Sequence, residues 1–360
     1  MALTTSLGAP VGPATPAAAL DDAPRPSRGP HCYAALDLGT NNCRLLIAKP
    51  TREGFRIVDA FSRIVRLGEG LSQTGALSEH AIERTMGALA VCRDKMRARG
   101  VTRARLIATE ACRSATNGPQ FLAAVRERLG IELEIVDRET EARLAAIGCG
   151  ALADRAAKSV LLFDIGGGSS EIVWLSEENG NNGFDFDGRR VRAWESLRVG
   201  VVSLAERFGG VEVSDDIFQA MVDYVAEQLP PFVGRVHGEA RCGRFHLLGT
   251  SGTVTTIAGV YLDLPRYDRR YVDGLWMMSA EVDLTVARLR AMTYAERAAN
   301  ACIGRERADL VLAGCAILEA IRRCFPAERL RIADRGLREG MLTQLMSVDR
   351  AWRRYDQARA

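Results

Sequence analysis

The sequence lacks a strong excess of either charge. It has 48 basic against 45 acidic side chains and a formal net charge of +3. That balance gives no electrostatic reason to expect DNA or RNA as a partner, so any preference for anions must come from local clusters. Paired cysteine spacing is missing too. Cys32, Cys43, Cys92, Cys112, Cys149, Cys242, Cys302, Cys315 and Cys324 are scattered, and no two stand as C-x-x-C. With four histidines, none grouped with cysteines, the ligands of a structural zinc site are not assembled. Free thiols in a reducing, cytoplasmic compartment are the simpler expectation. No run approaches the ~20 apolar residues that span a bilayer, so a membrane is not an expected partner. The N-terminal stretch also lacks the basic start and continuous apolar core of a secretory signal. It holds six of the twelve prolines and a run of alanine, and residues 1–32 read as a disordered tail.

What remains is ample for a folded protein. At 360 residues and 47% hydrophobic, the chain can bury a sizeable core, and its length suggests two domains. Tyr33-Ala-Ala-Leu-Asp-Leu-Gly39 reads as a strand, Thr40-Asn41-Asn42 as a turn, and Cys43–Ala48 as the returning strand. Further strands are expected at Arg56–Ala60, Ser62–Arg66, Arg105–Ala108 and Glu132–Val136. Ser78 can cap a helix whose Ile82, Met86, Leu89, Cys92 and Met96 keep helical spacing, and another helix is expected over Gly118–Leu129. A helix from Glu139 to Leu152 then leads to a second hairpin. In it Ser159–Ile165 is a buried-strand pattern, Gly166-Gly167-Gly168 the turn, and Glu171–Leu175 the return. Beyond an Asn/Gly-rich tip at Glu178–Asp187 come a helix at Ser214–Leu229 and a strand at Phe245–Leu248. Helices follow at Thr253–Tyr261, Ala308–Cys324 and Arg338–Met346.

The two hairpins repeat one design: strand, Asp, apolar residue, Gly, polar turn, strand. Their aspartates, Asp37 and Asp164, lie 127 residues apart (164 minus 37), about one domain length. Such a turn offers backbone N–H groups to an anion, and small residues let the anion approach. An aspartate facing the same anion then calls for a bridging cation. Alone, Asp37-Leu-Gly-Thr40 suits an ordinary turn equally well. The second hairpin is more telling, because three glycines flanked by Asp164 and Glu171 are unnecessary for a mere bend. Two such hairpins at that separation point to a two-domain phosphate clamp.

These segments, with Ala108-Thr-Glu-Ala-Cys-Arg-Ser-Ala115, Glu139-Thr-Glu-Ala-Arg-Leu144, Gly249-Thr-Ser-Gly-Thr253 and Asp334-Arg-Gly-Leu-Arg-Glu-Gly340, resemble the Ppx/GppA phosphatase family in content and order. That family comprises exopolyphosphatases and guanosine pentaphosphate phosphohydrolases of the actin, sugar-kinase and heat-shock-chaperone superfamily. The likeness runs from Tyr33 to about Met346. It implies two actin-like, ribonuclease-H-like α/β domains, roughly Tyr33–Asp154 and Arg155–Arg331, with 332–360 packing back on the first. Some relatives carry a long C-terminal helical extension, whereas here about 20 residues follow Gly340, so the short, two-domain form is expected.

The resemblance also implies roles. Glu141 would be the general base activating water, although a glutamate in an early helical turn is equally explained by the helix dipole. Arg113 would grip a phosphate oxygen, its alternative being a solvated loop arginine. Asp164 and Glu171, helped by Asp37, would hold Mg2+ directly or through water. Thr40, Asn41, Gly166, Gly167 and Ser169 would donate to phosphates, while Gly249 and Ser251 belong to a cleft-lining turn. Arg266, Tyr267, Arg269, Arg270 and Tyr271 form a candidate polyanion or base contact. A polar surface loop with Asp268 and Asp273 as local partners explains them equally. The expected ligand is inorganic polyphosphate or guanosine pentaphosphate, and the one expected protein partner is a second copy of the chain. Two other readings compete: an ATP-dependent sugar or acid kinase, and a catalytically silent alarmone or polyphosphate sensor.

Overall fold

The computed structural model describes residues 31–52, 54–176, 185–186, 189–241 and 245–352. The expected tail and the Asn/Gly-rich tip fall almost wholly outside them, as does Cys242. His31 and Cys32, read as tail, are anchored: the Cys32 carbonyl accepts from Thr102 N at 2.9 Å.

The first sheet contains β1 (Tyr33–Leu38), β2 (Asn42–Thr51), β3 (Gly54–Ile64), β4 (Arg103–Ala108) and β5 (Glu134–Ile135), in the order β3-β2-β1-β4-β5. The second contains β6 (Ser159–Ile165), β7 (Ser170–Ser176), β8 (Asp185–Phe186), β9 (Arg189–Leu197), β10 (Phe245–Thr250), β11 (Trp276–Met278) and β12 (Arg329–Ala333). Its order is β11-β12-β10-β6-β7-β9-β8. With the outer strands β11 and β8 set aside, β9-β7-β6-β10-β12 repeats the order of the first sheet. In both, the opening strand pairs antiparallel with the next and parallel with the fourth. This duplicated topology is the two-domain actin-like architecture, and it explains why β1 and β6 read as near-continuous apolar runs: each is covered on both faces.

Side-chain alternation along β1 decides what those faces meet. Leu36 and Leu38 turn toward Met86, Leu89 and Cys92 of the helix Glu79–Ala98, which Ser78 caps by accepting from Ala81 N. Tyr33 and Ala35 turn the other way, onto Leu337, Met341 and Met346 of the C-terminal helix Leu337–Val348 and onto Leu144. In the second sheet, Leu161 and Phe163 face the large outer core, while Val160 and Leu162 pack on Ala142, Ala145, Ala146 and Cys149. The helix Arg138–Cys149 therefore touches both sheets, presenting Leu144 to the first and its alanines to the second.

Arg56–Ala60 and Ser62–Arg66, read as two strands, form the single strand β3. An irregularity opposite Ile47/Ala48 lets the pairing with β2 continue. The expected helix over Ser214–Leu229 ends at Ala226, and a separate helix starts at Pro230. The described cysteines are free, and Cys43 and Cys92 lie Sγ to Sγ at 3.9 Å.

Candidate active site

The same alternation builds the site. Asp37 shares the face of Tyr33 and Ala35, and Asp164 shares that of Val160 and Leu162, so both point toward the helix Arg138–Cys149. Glu171 stands opposite Asp164 on one rung of the β6–β7 hairpin, and Arg44 stands opposite Asp37 on β2. Glu141 joins them from the helix's first turns, where Asp137 caps by accepting from Thr140 N at 2.7 Å. A cavity of about 110 Å3 is lined by all four carboxylates and by both glycine-bearing turns.

Each turn is closed by one short bond, Gly39 N to Asn42 O at 2.9 Å and Gly166 N to Ser169 O at 3.0 Å. Between these bonds the N–H groups of Thr40, Asn41, Gly167 and Gly168 have no acceptor among the described residues. The amide oxygens of Asn41 and Asn42 are buried and unpartnered as well. Native interiors seldom leave such groups unused, so these turns hold polar capacity for a ligand. The two turns meet tip to tip. A Cβ on Gly167 would lie 3.0 Å from Thr40 Cβ, and one on Gly200 would lie 2.4 Å from the Gly167 carbonyl. Close approach of backbone requires glycine at Gly200, and a side chain at Gly167 would press on Thr40 and Asn41.

Crowded carboxylates dominate the electrostatics. Burial is the largest cause of raised proton affinity in each of the four, and neighbouring carboxylates add to it at Asp37, Glu141 and Glu171. Burial lifts Asp37 to about 6, although Arg44 and Arg338 oppose it. Burial and then Asp164 push Glu171 to about 7, against hydrogen bonds from Ser169 and Ser196. Asp164 is raised by burial despite a bond from Ser251. Glu141 stands well above the usual carboxylate range because of burial and the Glu171 charge, with Arg113 opposing. Glu110 behaves oppositely: burial works to raise it, but Ser114, Arg138 and Arg113 hold it below its ordinary value.

Facing the carboxylates are guanidinium groups with no ion pair. Arg44, Arg307 and Arg338 have no side-chain hydrogen bond or salt bridge among the described residues. Burial and then the Arg44 charge depress Arg307, and Arg338 is likewise depressed by burial and by Arg44. No carboxylate bonds these three directly, although Glu339, Asp37 and Asp334 act on Arg338 from a distance, and guanidinium groups left unbonded in this way can receive an anion.

Of the residues singled out in the sequence, Asp37, Thr40, Asn41, Glu141, Asp164, Gly166, Gly167, Ser169, Glu171 and Ser251 line the cavity. Ser251 does so in the left-handed region, at φ 79°, a strained conformation for serine. Arg113 does not line it. Its guanidinium is taken up by Glu110 at 2.6 Å and Glu141 at 3.2 Å, so it holds the carboxylate from behind. Gly249 is sealed within β10, where a Cβ would strike the Phe163 ring at 2.7 Å. Tyr267 hydrogen-bonds Asp334 at 2.7 Å, and Arg269 pairs with Glu339 at 3.2 Å. Arg270 pairs with Asp268 at 2.6 Å, while Tyr271 and Arg266 are exposed. Arg269 and Arg270 line a different groove, shared with Arg56, Arg335 and Trp352. Asp273, expected as a local partner of this segment, binds Arg335 instead. The sequence reading missed Arg44, Arg307, Arg338, Thr109 and Glu110. Arg44 was within reach, since the hairpin register sets it opposite Asp37.

Comparison with known proteins decides the lineage. Residues 46–348 match the profile of the Ppx/GppA phosphatase family. The chain belongs to the Ppx/GppA phosphatase family. Within that family it is 31% identical over 302 residues to exopolyphosphatase 2 of Mycobacterium tuberculosis, covering 81% of this chain and 89% of that one. It is 29% identical over 319 residues to the guanosine-5'-triphosphate,3'-diphosphate pyrophosphatase of Photobacterium profundum. That match takes in 88% of this chain but spans only 59% of the relative's length. Among solved structures, the Aquifex aeolicus Ppx/GppA protein superposes with a TM-score of 0.70 at 26% identity, covering 89% of this chain and 98% of that one. An exopolyphosphatase from Cytophaga hutchinsonii reaches 0.78 over 88% and 98%, and at 23% identity it speaks for the fold.

Proposed function

We propose that this Ppx/GppA chain hydrolyses the terminal phosphoanhydride of inorganic polyphosphate and releases orthophosphate. Guanosine pentaphosphate is the alternative substrate, favoured by the name of the Photobacterium relative. One observation carries the reading: Glu141 shares a cavity of about 110 Å3 with two anion-ready turns and two arginines, Arg44 and Arg307, that have no ion pair among the described residues. Phosphoryl transfer asks little covalent help from a protein; it needs positioning and neutralised oxygens.

In this mechanism the free N–H groups of Thr40, Asn41, Gly167 and Gly168 hold the terminal phosphoryl group. Arg44 and Arg307 take the oxygens of the next phosphates. Glu141 accepts the proton of the attacking water, and burial with the Glu171 charge raises its affinity for that proton. Arg113 and Glu110 fix its orientation.

The donor set also fits a hard divalent cation. Asp37, Asp164 and Glu171 supply only oxygen, and their mutual repulsion is the strain that a cation would relieve. Among the described residues no three His, Cys, Asp or Glu side chains converge as a ready cage. That suits Mg2+, which keeps waters and shares phosphate oxygens rather than filling an all-protein shell. When bound, it would neutralise charge on the transferring phosphoryl group.

A cytoplasmic setting agrees with the free thiols, and no helix of the described residues is long and apolar enough to cross a membrane. Phosphate release from long-chain polyphosphate and from guanosine pentaphosphate, side by side with Mg2+ varied, tests the proposal. Release from neither substrate at any Mg2+ concentration would leave the silent sensor as the better reading.

A further inference from the structure

A second group of contacts joins the two halves of the chain beside the cleft. Arg66 follows β3 at φ 45°, an uncommon conformation for a residue with a side chain. Arg84 holds it there, donating to the Val65 carbonyl at 2.9 Å and the Arg66 carbonyl at 3.2 Å. From this position the Arg66 guanidinium reaches the second half of the chain. It binds both oxygens of Asp309, at 3.0 and 2.9 Å, and the Glu306 carbonyl at 3.1 Å. Glu206 reaches back in the opposite direction, accepting from Gly70 N at 2.8 Å and from the Ser72 hydroxyl.

Both sides of this junction are mounted on the anion-binding turns. Val65 N and Arg66 N donate to the Asn41 carbonyl at 2.8 and 3.0 Å, and Gly68 N donates to Thr40 O at 2.9 Å. Glu206 belongs to the helix Val201–Phe208, whose first residues donate to Gly166 O at 2.9 Å and Gly167 O at 2.8 Å. A chain of bonds thus runs from one turn, through Gly70–Glu206, to the other, and Arg66–Asp309 ties the same segment to the second half of the chain. Arg66, Glu206 and Asp309 border a groove beside the cleft that also touches Asn41 and Leu310, two residues that line the cavity of about 110 Å3.

We propose that Arg66, Glu206 and Asp309 are positioning residues: an interdomain clasp that fixes the spacing of the two anion-binding turns. The inference rests on the phosphoanhydride hydrolase reading. Forming the clasp assembles the donors around the transferring group, so its loss should slow the chemical step more than it weakens the initial encounter. The bidentate geometry makes the Arg66–Asp309 pair directional, and an amide cannot replace it.

The test uses the full-length protein carrying Asp309→Asn with Glu206→Gln, and Glu206→Gln alone should the double variant fold poorly. Tripolyphosphate and guanosine pentaphosphate serve as probes, with small-angle scattering in saturating inorganic phosphate as the second readout. The clasp predicts a kcat about tenfold lower or less on both probes, KM within about threefold, and a larger radius of gyration than wild type. Unchanged kcat overturns it, and so does a kcat loss with no change in radius, which would mark a local defect. If the wild type releases no phosphate, the hydrolase reading fails. The scattering comparison would still decide whether these residues hold the halves together.

Discussion

Asp164 and Glu171 stand directly opposite each other on one rung of the β6–β7 hairpin, both acidic and both buried. Like charges in that relation destabilise a sheet, so the pair is a cost to the fold that the site imposes. In metal-free protein, Asp164→Asn with Glu171→Gln should therefore raise the melting temperature at neutral pH. The sign follows from the raised affinities: the native state keeps protons that the unfolded chain releases near pH 4.5, so stability falls as pH rises toward about 7, where Glu171 ionises. The gap between variant and wild type should be wide near pH 8 and small near pH 4, with Mg2+ stabilising the wild type more. Thermal melts at the two pH values, with and without Mg2+, check this. An equal gap throughout would mean that the pair is not strained.

In the proposed mechanism Arg113 acts on Glu141 rather than on the substrate. Its positive charge opposes the burial that raises Glu141, so Arg113→Met should raise Glu141 further. The acid limb of the kcat profile then moves to higher pH, and the loss on the acid side of the profile exceeds that on the alkaline side. Arg113→Lys, which keeps the charge, should move the limb less. A uniform loss at every pH would instead assign Arg113 to phosphate binding, as the sequence first suggested.

The unpaired arginines yield a trade between binding and stability. Charge-assisted hydrogen bonds contribute ~1.5–3 kcal/mol, so Arg44→Gln and Arg307→Gln should each lower kcat/KM by about 10- to 100-fold and flatten its salt dependence. Because burial and Arg44 depress Arg307, its removal should also stabilise the ligand-free fold. Steady-state kinetics across a salt series, paired with melting temperatures, reads both. Lower stability with unchanged kinetics would return these arginines to a structural role.

The hairpins were legible because their signal is local: a buried strand, an aspartate and a turn in a dozen residues, repeated a domain length away. The same holds for Ser78, whose capping role is written in its neighbours. Arg307 was not legible, because its meaning depends on its distance from Arg44, 263 positions earlier in the chain (307 minus 44). Arg113 was assigned to phosphate because arginine beside an anion site usually serves it; only the fold brings Glu110 and Glu141 to the same guanidinium. Gly249 looked like part of a loop, yet β10 extends through Thr250 and Phe163 closes over it. Tyr267 looked free to stack on a base, but its hydroxyl is committed to Asp334, far along the chain.

The most direct test of the whole account is the turnover of Glu141→Gln on polyphosphate, measured beside its affinity for a non-hydrolysed analogue. A general base contributes ~10²–10⁴-fold, so kcat should fall by that range while analogue binding stays within about threefold of wild type. A variant that kept more than about a tenth of wild-type kcat would contradict the assignment of Glu141, and with it the mechanism built around this cleft.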